Sequence, residues 1–447
     1  MSTILDNELL TKSDAYVELE RKLTTKSARF GVIGLGYVGL PLGLTLSEAG
    51  FDVTGIDIDT SRVESILAGH SYITDVRDAE IEKAVREKRF RVTTDLSQIA
   101  GLDAVSICVP TPLRKTKDPD MSYVISAADA IARELHRGQL VILESTTYPG
   151  TTEELILPAL EARGLKVGED FFLAYSPERV DPGNPHFTTR DIPKVLGGVT
   201  PRCAELVVLL YGSAMKHVVP VSSTRVAEMV KLLENTFRSV NIALANEIAL
   251  MCSHMKIDVW EVIKGASSKP FGFMPFYPGP GLGGHCIPID PLYLEWKSKI
   301  DGFESRFIGL ADKINSGMPR FVVTRAMELL NERGKAMRGS RVHILGVTYK
   351  KDISDSRESP AIEVVKLLSG LGAHVSYSDP YVPSLQVEGH RMEAMYPSRE
   401  VLAACDIAVI ITNHTSFDYV EIVRYAPLVF DTRNATEGLK ATNLVRL

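Results

Sequence analysis

The sequence predicts a mixed α/β protein made of two doubly wound units joined by one long helix. Short apolar runs alternate with helical stretches from Arg29 onward, and the alternation restarts at Arg341. Between them, from Ser223, runs STRVAEMVKLLENTFRSVNIALANEIALMCSHM, with apolar residues recurring at three and four and neither glycine nor proline. That stretch exceeds the usual helix length and suits a spine between domains or a dimer interface. At 447 residues the chain is too long for one core, so two or three domains are expected.

The first unit opens with RFGVIGLGYVGLPLGLTLSEAGFDVTGIDID. A short strand runs into Gly34, Gly36 and Gly39, with Tyr37 and Val38 between the last two, and an apolar helix follows. A second strand ends in Asp57, 21 residues after Gly36. A glycine triplet alone is weak evidence, but here it follows a strand, opens a helix and has its acid, which is the context a dinucleotide fold needs. Gly34 makes the tight turn, Gly36 admits a pyrophosphate and Gly39 lets the helix pack. The helix N-terminus then faces the phosphates. Asp57 is expected to accept both ribose hydroxyls, which favours NAD over NADP, although Arg62 just beyond could meet a 2′-phosphate.

LDAVSICVPTP and QLVILESTTYPGTT read as further buried strands, and SPERVDPG follows the strand DFFLAYS. Ligands of such sheets sit beyond the carboxyl ends of the strands. Thr111, Thr146, Glu178 and Arg179 all fall there, where the nicotinamide half of the cofactor is expected.

On the long helix, Lys231 and Asn235 are four apart and project from one face. A solvent-facing stripe is the ordinary fate of such a pair. Downstream, PFYPGPGLGGHCIPIDP places Gly279, Gly281, Gly283 and Gly284 before Cys286, with Asp290 four residues later. Glycines cluster where backbone takes unusual dihedrals or lies close against something. The stretch reads as a surface turn ending in a buried cysteine or as a loop presenting a nucleophile.

The second unit runs through RVHILG, SPAIEVVKLLSGLG, AHVSYSDP, CDIAVIITNH and PLVFDTRN, without the glycine fingerprint. GVTYKKDISDSRESP stands in its place, and Lys350, Lys351 and Arg357 make it basic, as suits a different phosphate ligand. Two such units imply two nucleotide-like ligands meeting in a cleft.

Composition narrows the classes further. The formal net charge of −6 argues against a nucleic-acid binder. Five scattered cysteines with no CxxC pair suggest neither a zinc site nor a disulfide framework, so no metal is expected and a reducing cytoplasm is. No apolar run marks a membrane span. The N-terminal stretch lacks the apolar centre of a secretory signal.

Together the glycine triplet with Asp57, ESTTYPGTT, SPERVDPG, the Lys231–Asn235 helix, GGHCIPID and YKKDISDSRESP, in that order, resemble the nucleotide-sugar 6-dehydrogenases, the UDP-glucose/GDP-mannose dehydrogenase family. The likeness spans about Arg29 to Asp431. It implies two Rossmann-like domains joined by a long central helix: an N-terminal extension at 1–28, an NAD-binding domain at 29–215, a central helical and dimerisation domain with the cysteine loop at 216–330, and a UDP-sugar-binding domain at 331–447. It also implies NAD-dependent oxidation of a UDP-hexose C6 alcohol to the acid, for surface polysaccharide synthesis, by a cytoplasmic homodimer or higher oligomer.

The family's residue roles follow from the same likeness. Cys286 forms a thiohemiacetal and then a thioester. Lys231 stabilises the oxyanion, with Asn235 donating a hydrogen bond. Asp290, Glu178 and Thr146 surround the water used in proton transfer and hydrolysis, and which is the base stays open. Arg179, Val180, Tyr277, Gly281 and Gly283 join the substrate contacts, Lys350 meets the UDP phosphates, and Arg357 reaches the cofactor. His285 beside Cys286 suggests a dyad, but neighbours in sequence point apart. Histidine before the cysteine, and Lys269 as the one upstream cation, resemble the branch acting on N-acetylated hexosamines. UDP-N-acetylglucosamine is expected first, with UDP-N-acetylmannosamine, UDP-N-acetylgalactosamine and UDP-glucose behind it. A nucleotide-sugar epimerase, a hydroxyacid dehydrogenase and a non-catalytic nucleotide-sugar sensor are the competing readings.

Overall fold

A computed structural model describes residues 13–73, 76–114, 116–181 and 187–447. Residues 1–12 of the expected extension, and Pro182 and Gly183 of SPERVDPG, lie outside the described residues. The chain divides into two compact units, Met1–Leu233 and Glu234–Leu447.

The first unit holds an eight-stranded sheet of β1 (Arg29–Ile33), β2 (Asp52–Ile56), β3 (Phe90–Thr93), β4 (Ala104–Ile107), β5 (Leu140–Leu143), β6 (Phe172–Tyr175), β7 (Lys194–Gly198) and β8 (Val218–Pro220). Their order is β3-β2-β1-β4-β5-β6-β7-β8. Every pairing is parallel except β6 with β7. The central strands β4, β5 and β6 are buried at every residue, as expected of a sheet covered on both faces. The strand order reverses between the parallel neighbours β1 and β4, so the carboxyl ends of these strands open the crevice where ligands of such sheets bind.

The described part of the expected extension belongs to this core. Helix α1 (Asp14–Thr24) is capped by Ser13, whose hydroxyl accepts from Tyr16 N. Tyr16, Leu19 and Leu23 fall on one face and are buried. The Tyr16 ring meets Phe172 of β6 edge-on, with centroids 5.9 Å apart. Its hydroxyl donates to Glu205 at 2.7 Å. Helix α2 (Gly39–Glu48) follows β1, and Glu205 lies on α3 (Pro201–Gly212), against which α1 packs.

The long helix is α4, Thr224–Met255, 32 residues, and the boundary between the units falls within it. The second unit continues with α5 (Asp290–Ile300) and α6 (Arg306–Asn331). A parallel five-stranded sheet follows, built from β9 (Arg341–Leu345), β10 (His374–Ser378), β13 (Ile407–Ile410), β14 (Val429–Asp431) and β15 (Leu444–Arg446), in the order β10-β9-β13-β14-β15. The strands β11 (Ser384–Val387) and β12 (His390–Glu393) form a separate antiparallel hairpin. Helix α7 (Pro360–Gly370) covers the sheet and is capped by Ser359.

The two units repeat one local device. Gly34 and Gly346 follow the first strand of each sheet with φ of 91° and 81°. Gly34 N donates to Ile56 O at 2.8 Å, and Gly346 N donates to Ser378 O at 2.9 Å. The next amide donates to the acid ending the second strand: Leu35 N to Asp57, and Val347 N to Asp379, each at 2.7 Å. Among the described residues no helix is long and apolar enough to cross a membrane.

Candidate active site

In the first unit the glycine triplet divides as its spacing predicts. A Cβ on Gly34 would press on the Cys108 carbonyl, and one on Gly39 would strike the Gly34 carbonyl and Val32. A Cβ on Gly36 would meet nothing within 4 Å. Gly34 and Gly39 are therefore demanded by the fold, while Gly36 leaves open space at the start of α2, where a pyrophosphate fits.

Asp57 is buried and already serves the protein. One carboxylate oxygen accepts from Leu35 N at 2.7 Å and Arg62 Nη1 at 3.2 Å, and the other accepts from Asp59 N at 2.9 Å. Lone pairs remain for hydroxyl donors. Arg62 is held between Asp57 and Asp59, with its guanidinium 5.8 Å from the Tyr72 ring centroid. Its charge is thus directed to the acid, which removes the sequence-based argument for a 2′-phosphate. These features fit NAD.

Thr111, Thr146 and Glu178 lie past the carboxyl ends of β4, β5 and β6, three adjacent strands. Thr146 is half-buried and Glu178 is buried. One Glu178 oxygen accepts from Arg179 N at 2.6 Å and Val180 N at 2.8 Å. The other accepts from Lys194 Nζ at 3.1 Å. The Arg179 guanidinium donates to Pro193 O. Burial works against ionisation of Glu178, yet Lys194 and the two amides outweigh it and hold its pKa below the ordinary value.

On α4, Lys231 and Asn235 are both buried, at 7% and 6% exposure, so they are not a solvent-facing stripe. Asn235 Nδ2 donates to Asp290 at 2.5 Å. Asp290 opens α5, and its amide donates to the Cys286 carbonyl at 2.8 Å. The thiol thus sits one turn ahead of the carboxylate. Of the five cysteines, four are buried and Cys286 is exposed. This decides against the buried-cysteine reading of the glycine loop.

The structure gives the loop glycines a reason that the sequence did not. Gly281 and Gly284 have φ of 134° and 84°. A Cβ on Gly284 would meet the Tyr349 ring, and one on Gly283 would meet Tyr349, Glu358 and Pro360. One on Gly279 would strike the Arg433 guanidinium. Gly284 N donates to Arg357 O at 3.2 Å, and Gly279 N donates to Asn246 Oδ1 at 2.9 Å. Asn246 in turn donates to Asn315, which donates to Ser239 O. The glycines bring backbone against protein.

Tyr277 is exposed and stacks on Trp260. Lys350 is half-buried, its carbonyl accepting from Thr348. The Arg357 fork rests on Asp355 at 2.6–3.1 Å. Burial first, then the Arg357 charge, lowers the His285 pKa, so this imidazole is neutral at pH 7. Sequence reasoning missed Glu144, although it opens ESTTYPGTT, and it missed Lys194, Asn246 and Arg433, which stand in no motif. Arg433 is half-buried, and desolvation lowers its pKa to about 10.

Comparison with known proteins gives these features a family. Residues 28–215 match the UDP-glucose/GDP-mannose dehydrogenase family, NAD binding domain; 225–317 match its central domain, and 343–438 its UDP binding domain. The chain is 38% identical over 361 residues to a UDP-N-acetyl-D-glucosamine 6-dehydrogenase of Pseudomonas aeruginosa, covering 80% of this chain and 84% of the relative. It is 34% identical to an NDP-N-acetyl-D-galactosaminuronic acid dehydrogenase of Ralstonia solanacearum, covering 93% and 98%. A solved UDP-N-acetyl-D-mannosamine dehydrogenase of Pyrococcus horikoshii superposes with a TM-score of 0.86 at 34% identity, covering 94% and 98%. The chain belongs to the UDP-glucose/GDP-mannose dehydrogenase family, and it is an NAD-dependent UDP-sugar dehydrogenase.

Proposed function

We propose that the protein oxidises the C6 alcohol of a UDP-N-acetylhexosamine to the carboxylate, with UDP-N-acetylglucosamine its preferred substrate, in bacterial surface polysaccharide synthesis. The observation that carries the covalent route is the exposure of Cys286 within hydrogen-bonding sequence of Asp290 and Asn235. NAD, when bound, accepts one hydride at each of two stages, so that alcohol, water and two NAD give carboxylate, two NADH and three protons.

The chain's residues supply the rest. After the first stage the Cys286 thiolate adds to the C6 aldehyde, forming a C–S bond and a tetrahedral thiohemiacetal. Loss of the second hydride leaves a thioester, which water cleaves to free the thiol. Lys231 is buried and faces the developing oxyanion, where a desolvated cation is most effective. Asn235 orients Asp290 and adds a donor. Asp290, Thr146 and Glu178 surround the water used in proton transfer and hydrolysis. Lys350 binds the UDP phosphates and Arg357 the cofactor; Val180, Arg179, Tyr277, Gly281 and Gly283 line the substrate.

The N-acetyl preference is supported by His285 before the cysteine and by relatives acting on N-acetylated sugars. A homodimer is supported by Phe237, Leu244, Met251 and Met255, exposed apolar residues at helical spacing along α4. Five cysteines outside any disulfide accord with the cytoplasm.

The test is NADH formed per sugar consumed across UDP-N-acetylglucosamine, its manno and galacto epimers, and UDP-glucose. Two per sugar with UDP-N-acetylglucosamine fastest is expected. One per sugar removes the role of Cys286, and an epimer without NADH moves the protein to another class.

A further inference from the structure

Beside Glu178 lies a set of buried charges whose pairing no motif announces. Lys194 opens β7, which runs antiparallel to β6. Its first residue therefore lies beyond the carboxyl end of β6, where Glu178 stands. Lys194 Nζ donates to Glu178 at 3.1 Å and to Glu144, the residue after β5, at 2.5 Å. Tyr211 from α3 donates its hydroxyl to the other Glu144 oxygen, and Ser106 Oγ lies 3.2 Å from that hydroxyl. The Lys194 ammonium also stands 5.4 Å from the centroid of the Tyr211 ring. Lys194, Glu144 and Tyr211 are all under 5% exposed.

Two carboxylates share one ammonium here, out of water. Burying a carboxylate is costly unless a cation and hydrogen bonds replace the hydration it loses. Glu178 has that replacement on both oxygens: two amides on one and Lys194 on the other. Glu144 shares Lys194 but receives no amide donor in the same set, and burial, only partly offset by Lys194, raises its pKa. The division of charge is therefore unequal.

We infer that Lys194 is a positioning residue for the reaction: it fixes the orientation and keeps the negative charge of Glu178, with Glu144 and Tyr211 holding the ammonium in place. The inference rests on the role proposed for Glu178. It deepens that role, because a carboxylate so firmly held is a weak proton acceptor. Glu178 then acts as a fixed anion that orients water, and the proton leaves by another group. The titratable groups facing Lys194 are Glu144, Glu178 and Tyr211, with the buried Cys108 thiol nearby.

The test is the pH dependence of kcat/KM, read from NADH formed with whichever of the four UDP-sugars turns over. Lys194→Met combined with Glu144→Gln removes one charge of each sign and leaves Glu178 without its cation. Its acid limb is expected to move up by roughly 1–3 pH units, the span a neighbouring cation exerts on a carboxylate. Lys194→Arg, which keeps the charge, is expected to retain the parent's limb. An unmoved limb in the double variant overturns the inference. Should that variant not fold, infrared titration of the parent, with the Glu178 band assigned through Glu178→Gln, decides the matter. A Glu178 carboxylate still ionised below about pH 4.3, the ordinary glutamate value, supports the inference. Protonation above that value overturns it. Glu178→Gln also separates the two failures: parental turnover in that variant overturns the role of Glu178 itself, whereas lost turnover with NAD binding intact and an unmoved limb overturns the part played by Lys194 alone.

Discussion

The amide of Asn235 is spent on the carboxylate of Asp290, so the two residues form one unit before any substrate arrives. Asn235→Asp would bring two carboxylates into contact, and one must then hold a proton to relieve the repulsion. Its folded pKa rises above about 3.9, the unfolded value. The added stability is then present at low pH and lost as pH rises through the raised pKa. Thermal melting should show the deficit of Asn235→Asp against the parent growing from pH 5 to pH 8, with that of Asn235→Ala constant. Turnover should fall in both, on the order of 10²-fold or more if Asn235 also donates to the oxyanion.

Two glycines with opposite reasons give a paired prediction. Gly284 has a positive φ and Tyr349 against it, whereas Gly36 has open space. Gly284→Ala should lower stability by roughly 1–3 kcal/mol from backbone strain alone, measured by urea unfolding. Gly36→Ala should melt with the parent in the absence of NAD and bind NAD at least about tenfold more weakly, from obstructed phosphate approach. Equal NAD affinity in Gly36→Ala would remove the phosphate from this turn.

Glu228, on α4, accepts from Gly150 N, Thr152 N and the Thr152 hydroxyl, at 2.5, 2.9 and 2.7 Å. Burial nevertheless dominates and raises its pKa to about 7, against the three hydrogen bonds. The folded value lies above the unfolded one, so the native state binds the extra proton. Its stabilisation is present at low pH and lost as pH climbs toward 7, about 3 kcal/mol in all on the linkage scale. Glu228→Gln cannot titrate. Its melting temperature should gain on the parent's between pH 5 and pH 8, and a constant difference would deny the shift.

The helix α1 lies ahead of the family match, which begins at residue 28. Tyr16, Leu19 and Leu23 are each at most 2% exposed in the first unit's core. Leu19→Ala should lower stability by about 2–5 kcal/mol, as for other buried leucines. A chain starting at residue 28 should melt earlier still and aggregate, because the face of α3 and Phe172 would be uncovered. Parental melting of that shortened chain would show α1 to be dispensable.

Legibility followed range. The turn Gly34–Gly39 and its acid were readable because every partner lies within one strand–helix–strand passage. Cys286 was readable because four glycines stand before it. The Lys194–Glu144–Tyr211 set was not. Lys194 and Glu144 are 50 residues apart, and Tyr211 and Glu144 are 67 apart. Their meeting also depends on β7 reversing direction, which periodicity does not encode. Arg433 over Gly279 was hidden for the same reason. The buried face of α1 was not read from the sequence, because nothing local names what it covers. Asp379 adds a caution: it repeats the backbone bonds of Asp57 in a unit without the glycine triplet, so an acid at this place closes the turn first and serves a ligand second.

The exposure of a single thiol among five also determines how the protein would be damaged. Peroxide reaches Cys286 before the four buried sulfurs, and a thiol oxidised to the sulfenic state is still recoverable by reductant, while the sulfinic state is not. Loss of activity would then follow the fate of one sulfur atom per chain, with the fold untouched. The exposure that would let Cys286 meet an aldehyde in the proposed reaction would also make it the point at which oxidative stress reaches the enzyme.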